Sequence, residues 1–272
     1  MKILLVNNSG IEKTLVMAEE IKKQLVQLGV EVKVENASMK VEGTDFDSII
    51  VLGGDGTFIR AARQHLDMNV PMLGVNMGTV GFLSNIEAHE LSEYLPRFLQ
   101  QDYSIDERMM IELLIRRNGE IRQRSYCLNE LTIKSKEGKI LNLDIRIAGQ
   151  GYGSYRGDGI IVATPTGSTA YSLSCGGPIT DPELDVFIIT PIASYLLAQR
   201  PLVIAADKEL CLEAIGAADA FISMDGQLKV DLQPGDQIFV RKAAHKLKMV
   251  HLKPRDFFAT VDNRLKRNKE EI

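Results

Sequence analysis

Five consecutive residues, Gly53-Gly54-Asp55-Gly56-Thr57, place one carboxylate inside a glycine turn. The apolar run Ile49-Ile50-Val51-Leu52 precedes it, and Phe58, Ile59, Ala61 and Ala62 follow at helical spacing. That is the pattern of strand, glycine turn and helix. Glycines let a phosphate approach backbone N–H groups closely, and a helix N-terminus offers more N–H groups and a positive dipole end. A carboxylate in such an anion-friendly turn is costly unless it has work to do. Asp55 could hold a metal ion or accept a proton from a nucleophile. Gly-Gly-Asp-Gly also makes a good tight turn with no ligand, since both residue types suit turn geometry.

A second concentration of chemistry lies later. Eight of the 22 glycines fall between 149 and 177. Within that stretch stand Arg156-Gly157-Asp158-Gly159, the strand-like Ile160-Ile161-Val162-Ala163, and Thr164-Pro165-Thr166-Gly167-Ser168-Thr169-Ala170-Tyr171-Ser172. Glycines crowded into a β-rich region mark close approach to the backbone. The hydroxyls of 164–172 suit hydrogen bonding to a ribose, an amide or a phosphate, and equally suit the cap of a short helix. Asn129-Glu130 is a polar pair between Leu128 and Leu131. A carboxylate in an apolar strand needs a partner or a ligand, unless the pair stands exposed at a strand end.

The elements that carry these residues can be read from periodicity. Residues 2–6 predict a buried strand, 12–28 a helix closed by Gly29, and Val30, Val32 and Val34 a second strand. A third strand at 48–52 leads into the glycine turn. A fourth, near Met72–Val75, leads into Asn76-Met77-Gly78-Thr79-Val80-Gly81-Phe82, and a helix follows at about 88–100. Two glycine loops after neighbouring parallel strands share one sheet edge and can line one cleft. The turn after the first strand, Asn7-Asn8-Ser9-Gly10, is not G-x-G-x-x-G, and no G-x-x-x-x-G-K-[ST] occurs, so neither common nucleotide fingerprint applies. After Tyr103 alternation takes over, at Ile111, Leu113 and Ile115, then Ile121, Leu131 and Ile133, then Leu143, Ile145 and Ile147, with Asn118-Gly119 as a hairpin signal. The expected division is an α/β domain at 1–103, a β-rich domain at 104–254 and a charged tail at 255–272.

Composition narrows the classes. The chain has 272 residues, 45% hydrophobic and 25% charged, with net charge −4. That is an ordinary globular mixture with no basic surplus for nucleic acid. Cys127, Cys175 and Cys211 are far apart in sequence, which argues against a zinc site or a disulfide framework. His65, His89, His245 and His251 lack ligand spacing and read as surface or structural residues. No 18-residue apolar run exists and the first residues are too short for a signal peptide, so a cytoplasmic protein without a membrane span is expected.

The ordered set G-G-D-G-T, N-M-G-T-V-G-F, Asn129-Glu130, Y-R-G-D-G at 155–159, T-P-T-G-S-T-A-Y-S at 164–172 and Met224-Asp225-Gly226-Gln227 resembles the NAD kinases, across about residues 55–227. The resemblance implies an α/β plus β fold. It consists of an N-terminal doubly wound α/β domain and a C-terminal antiparallel β-rich domain, with the active site in the cleft between them. It implies transfer of the terminal phosphate of ATP, or polyphosphate, to the 2′-hydroxyl of the adenosine ribose of NAD. It further implies a divalent ion, usually magnesium, and a homodimer or homotetramer. Asp55 would be the proton acceptor. Gly56, Arg60, Phe82, Asn129, Glu130, Arg156, Asp158, Thr169, Ala170, Tyr171, Ser172, Ser174 and Gln227 would join it in lining the NAD site, with no metal ligands assigned. The alternatives are a lipid or sugar kinase sharing the G-G-D-G turn, and a non-catalytic nucleotide-binding module.

Overall fold

The computed structural model describes residues 1–8, 12–36, 41, 43–78, 81, 83–84, 86–136, 138–196, 199–215, 219–254 and 257–262. The chain divides into two compact units. The first takes Met1–Glu107 together with the chain from Leu247 onward, and the second takes Arg108–Lys246.

In the first unit the order is β1 (Lys2–Asn7), α1 (Glu12–Gln27), β2 (Glu31–Glu35), β3 (Ser48–Gly53), α2 (Asp55–His65), β4 (Pro71–Asn76), β5 (Ile86–Glu87), α3 (Leu91–Leu99) and β6 (Ser104–Arg108). The second unit holds β7 (Ile111–Arg117), β8 (Glu120–Cys127), β9 (Glu130–Ser135), β10 (Leu141–Ile147), β11 (Gln150–Ala163), α4 (Tyr171–Ser174) and β12 (Val186–Ser194). It continues through β13 (Leu202–Ala205), β14 (Leu210–Ala214), β15 (Ala220–Met224), β16 (Leu228–Leu232) and β17 (Gln237–Lys242). The last strand, β18 (Leu247–His251), returns to the first unit.

The first sheet runs β2-β1-β3-β4-β18-β6, with β5 beside β4. Strands β1 and β3 pair in parallel, as do β3 and β4. Their near-continuous apolar sequences follow from burial on both faces. Ile3, Leu5, Ile50, Leu52, Leu73 and Val75 pack with Ala18, Ile21 and Leu25 of α1 and with Leu91, Leu95 and Phe98 of α3. The chain reverses direction across the sheet between β1 and β3. An open α/β sheet binds its ligands at such a switch point, outside the carboxyl ends of the strands.

Alternation alone assigns 247–254 to the β-rich region. The structure instead pairs β18 in parallel with β4, through Lys248↔Pro71 and Met249↔Met72. A short apolar strand looks the same in either sheet, and only long-range pairing tells them apart. The expected helix at 88–100 starts as a 3₁₀ turn, Ala88–Glu90, locked by a capping box between Glu87 and Glu90. The charged end at 263–272 lies outside the described residues.

The second sheet is antiparallel, in the order β16-β15-β9-β11-β10-β14-β17-β7-β8, with β12 on β11 and β13 on β12. Its core gathers alternate residues of many strands, among them Leu113, Ile133, Leu143, Val162, Leu212, Ile222 and Val240. Asn118 and Gly119 both take positive φ, as a two-residue hairpin turn requires. Strand β9 sits between β15 and β11, so its first residue, Glu130, is carried by the interior of the sheet.

Candidate functional site

The carboxyl ends of β1, β3 and β4 carry the first group of residues. Gly53 closes β3 and Gly54 is the N-cap of α2, with extended backbone and no side chain to cover the helix end. Asp55 is the first helical residue, half-buried. Its Oδ1 accepts the Leu83 N–H at 3.1 Å. A Cβ placed on Gly81 would lie 2.5 Å from Asp55 Cγ, so only glycine lets this loop close on the carboxylate. Asn76, at the end of β4, starts the loop with a turn of its own. Its Oδ1 accepts the Gly78 N–H, and its Nδ2 donates to the Gly78 carbonyl. The Met77 N–H reaches the Gly53 carbonyl at 3.3 Å, joining the loops after β3 and β4. Arg60, one turn along α2, donates to the Asn7 carbonyl at 3.0 Å and ties in the end of β1. Gly56 is exposed at the same helix end, and Phe82 lies outside the described residues. Asp55, Gly56 and Arg60 therefore meet at the switch point.

His65, near the far end of α2, is buried and shares a proton with Glu35 Oε1 over 3.0 Å. The other Glu35 oxygen accepts the Val41 N–H. These bonds hold that carboxyl below the usual range against the burial that would raise it. His65 is thus a structural residue, and His251, bonded to Asp106, is another.

The second group is built around the turn from β8 into β9. Thr164 is fully buried. Its hydroxyl donates to the Leu128 carbonyl at 2.6 Å and accepts from the Gly167 N–H at 3.1 Å, while its own N–H donates to the Asn129 carbonyl at 2.8 Å. Gly167 then lies directly on the Asn129 backbone, where an added Cβ would come within 2.8 Å of Asn129 Cα and closer still to its carbonyl. From the other side Asp225 accepts the N–H groups of Leu128, Asn129 and Glu130 at 3.1, 2.8 and 3.2 Å. Asn129 stays half-exposed, whereas Glu130 is 6% exposed. One of its carboxyl oxygens, Oε2, is buried without a hydrogen-bond partner. Burial, with the Asp225 charge beside it, pushes Glu130 up to about 8, partly opposed by the Tyr171 backbone N–H.

This buried acid makes a stability prediction. An acid whose folded pKa exceeds its unfolded value supports the fold at low pH, and that support is lost as pH rises through the folded pKa. Glu130 therefore costs the folded protein a few kcal/mol between roughly its ordinary pKa and about 8. Denaturant unfolding near pH 5 and near pH 9 should show this loss in the parent and a flatter profile in Glu130→Gln. Equal profiles would mean that Glu130 is not held as a neutral acid.

The remaining expected residues fall in three places. Thr169, Ala170 and Tyr171 are half-buried where the 3₁₀ turn Thr166–Thr169 leads into α4, and the Lys134 ammonium lies 4.6 Å from the Tyr171 ring. Ser174 and Gln227 are exposed. Ser172 is fully buried and shares a proton with Thr190 over 2.8 Å, so its hydroxyl anchors α4. Arg156 and Asp158 are exposed on β11, with Arg156 stacked 5.0 Å from the Tyr195 ring. They stand seven and five residues from Ala163, the β11 partner of Glu130. At the usual strand rise this is roughly 23 and 16 Å, so the strand does not bring them to Asn129-Glu130. Thr164 and Asp225 lie in motifs legible in the sequence, but their role in holding the 128–130 backbone is not read from pattern. A signal existed for the second, since Asp-Gly between apolar runs marks a hairpin turn.

Among the described residues no group of three His, Cys, Asp or Glu side chains could hold a metal ion, and no helix is long and apolar enough to cross a membrane.

Two family models match the chain, the ATP-NAD kinase N-terminal domain over residues 33–103 and the ATP-NAD kinase C-terminal domain over 128–252. An NAD kinase of Citrifermentans bemidjiense is 37% identical over 271 residues, 93% of this chain and 94% of that protein. An NAD kinase of Geotalea daltonii is 39% identical over 223 residues, 81% of this chain and 78% of that one. Among solved structures, an NAD kinase from Archaeoglobus fulgidus in complex with ATP superposes with TM-score 0.76 at 26% identity, covering 98% of this chain and 99% of that one. Yeast NADH kinase complexed with NADH shares the fold, with TM-score 0.85 at 22% identity over 98% of this chain and 87% of that one.

Proposed function

The chain belongs to the NAD kinase family, and we propose that it runs the family's reaction through the residues described above. The terminal phosphate of ATP passes to the 2′-hydroxyl of the adenosine ribose of NAD, giving NADP. Neither a lipid or sugar kinase nor a non-catalytic module finds support among the relatives. The observation that carries the assignment of roles is Asp55, a carboxylate placed at the N-terminus of α2 and fixed through Leu83 at the ends of β3 and β4.

The chemistry follows from that placement. A carboxylate is too weak a base to ionise an alcohol beforehand. Phosphoryl transfer through a loose transition state asks little of the nucleophile. Asp55 therefore accepts a hydrogen bond from the ribose 2′-hydroxyl and aims its oxygen at the γ-phosphorus. As the new O–P bond forms and the β,γ-bridge bond breaks, the hydroxyl proton passes to Asp55 and ADP leaves. Most of the acceleration comes from positioning and from backbone N–H groups facing the phosphates. Asn129, Glu130 and the 169–174 segment hold the dinucleotide, with Gln227 at their edge.

The described residues do not supply a protein cage for a resident ion. Magnesium is better read as part of the substrate, arriving on the triphosphate, as is common where few carboxylates are offered. Three free cysteines suit the reducing cytoplasm. Exposed Tyr152, Tyr195, Leu196 and Val203 on the second unit suit assembly as a homodimer or homotetramer.

The test is turnover with NAD against ATP and against polyphosphate, each with and without magnesium. ATP with magnesium should give product, and a chelator should stop it. Product formed equally well in chelator would remove the metal–ATP substrate from the account.

A further inference from the structure

Asp225 has no partner role in phosphoryl transfer as derived above, yet it is among the most constrained carboxylates of the second unit. It is 9% exposed and takes φ +50°, which side chains other than glycine seldom adopt. With Gly226 at φ +66° and the Gln227 N–H bonded to the Met224 carbonyl, it opens the three-residue turn, Asp225 to Gln227, between β15 and β16. Its carboxylate reaches three successive N–H groups, those of Leu128, Asn129 and Glu130. Its own N–H donates to the Glu130 carbonyl at 2.9 Å. The charged acceptor and the returning N–H thus hold both faces of one peptide segment, and charge-assisted bonds of this kind are the strong ones.

We propose that Asp225 is a positioning residue for the dinucleotide site, fixing the backbone at 128–130 and thereby aiming the side chains of Asn129 and Glu130. The inference rests on the NAD kinase reading. A hairpin turn needs no such arrangement, because the turn is already closed by Gln227 and Met224. Three donors on one carboxylate serve the opposite segment, where the polar pair sits. The same carboxylate also opposes ionisation of Glu130, since a second negative charge beside it is unfavourable. Thr164 and Gly167 support the segment from the other side, so freeing the Asp225 side loosens Asn129 and Glu130 without dismantling the sheet.

The experiment compares parent and Asp225→Asn by turnover and by direct NAD binding. Asparagine tolerates positive φ and keeps one acceptor oxygen, so the turn survives. The KM and Kd for NAD should rise roughly ten- to a hundred-fold, with kcat at saturating NAD and the KM for ATP within about three-fold. In an Asn129→Ala, Glu130→Gln background the same change should add less than about two-fold, because its effect passes through those residues. Asp225→Ser, which keeps a single short acceptor, is the second variant and should weaken NAD binding similarly.

Unchanged NAD affinity in folded Asp225→Asn, or a full additive loss in the double background, overturns the proposal. So does failure of both variants to fold with NAD present, which would make Asp225 a residue of the fold alone. A parent that binds no NAD overturns the function together with the proposal. A parent that binds NAD no better than its Asp225→Asn variant overturns only the proposal.

Discussion

Asp55→Asn should lose roughly a thousand-fold in kcat while the KM for NAD moves by less than about three-fold. The variant keeps an oxygen that can accept the Leu83 N–H, so the loop closed by Gly81 stays in place. With that oxygen turned to Leu83, the Nδ2 group faces the ribose and can still donate a hydrogen bond to the hydroxyl oxygen. What it cannot do is take the proton when the new O–P bond forms. The loss therefore falls on the transition state and spares ground-state binding. Steady-state kinetics with NAD varied at saturating ATP, together with direct NAD binding, checks this. Collapse of NAD affinity with turnover at saturation intact would make Asp55 a binding residue and leave the proton acceptor unassigned.

Gly167→Ala should be the most damaging single methyl group in the second unit. The added Cβ meets the Asn129 backbone, at 2.8 Å from its Cα and nearer its carbonyl. Backbone pinned by Thr164 on one side and Asp225 on the other has nowhere to go. Overpacking of this kind costs about 3 kcal/mol, and the displaced Asn129 should raise the KM for NAD in the protein that remains folded. Gly151→Ala is the control, because nothing lies within 4 Å of its added Cβ, and it should stay within about 0.5 kcal/mol of the parent. Denaturant unfolding of the three proteins at one pH decides the matter. Equal stability of the two variants would show that the contact at Gly167 is slack.

What could be read from the chain alone follows from the range of the interactions. The strand at 48–52, the glycine turn and the helix after it depend on neighbours within a dozen residues, and each was legible from spacing. Glu130 stood out because a carboxylate within an apolar strand calls for an explanation. Its burial could not be seen, since that depends on β11 and β15, which lie well downstream. The Asp225 contacts span 95 to 97 residues and leave no periodic trace. The return of β18 to the first sheet escaped pattern for the same reason. Ser172 lies in a run of hydroxyls suited to ligand binding, yet its partner is Thr190 on β12. Hydroxyl enrichment identifies the segment but not which hydroxyls face outward.

The most direct measurement is where the phosphate goes. Purified protein is incubated with NAD, ATP and magnesium, and the product is offered to a dehydrogenase that accepts only NADP, with Asp55→Asn in parallel. Transfer to the ribose through Asp55 requires NADP from the parent and almost none from the variant. Phosphate released without NADP, or NADP formed equally by both proteins, would contradict it.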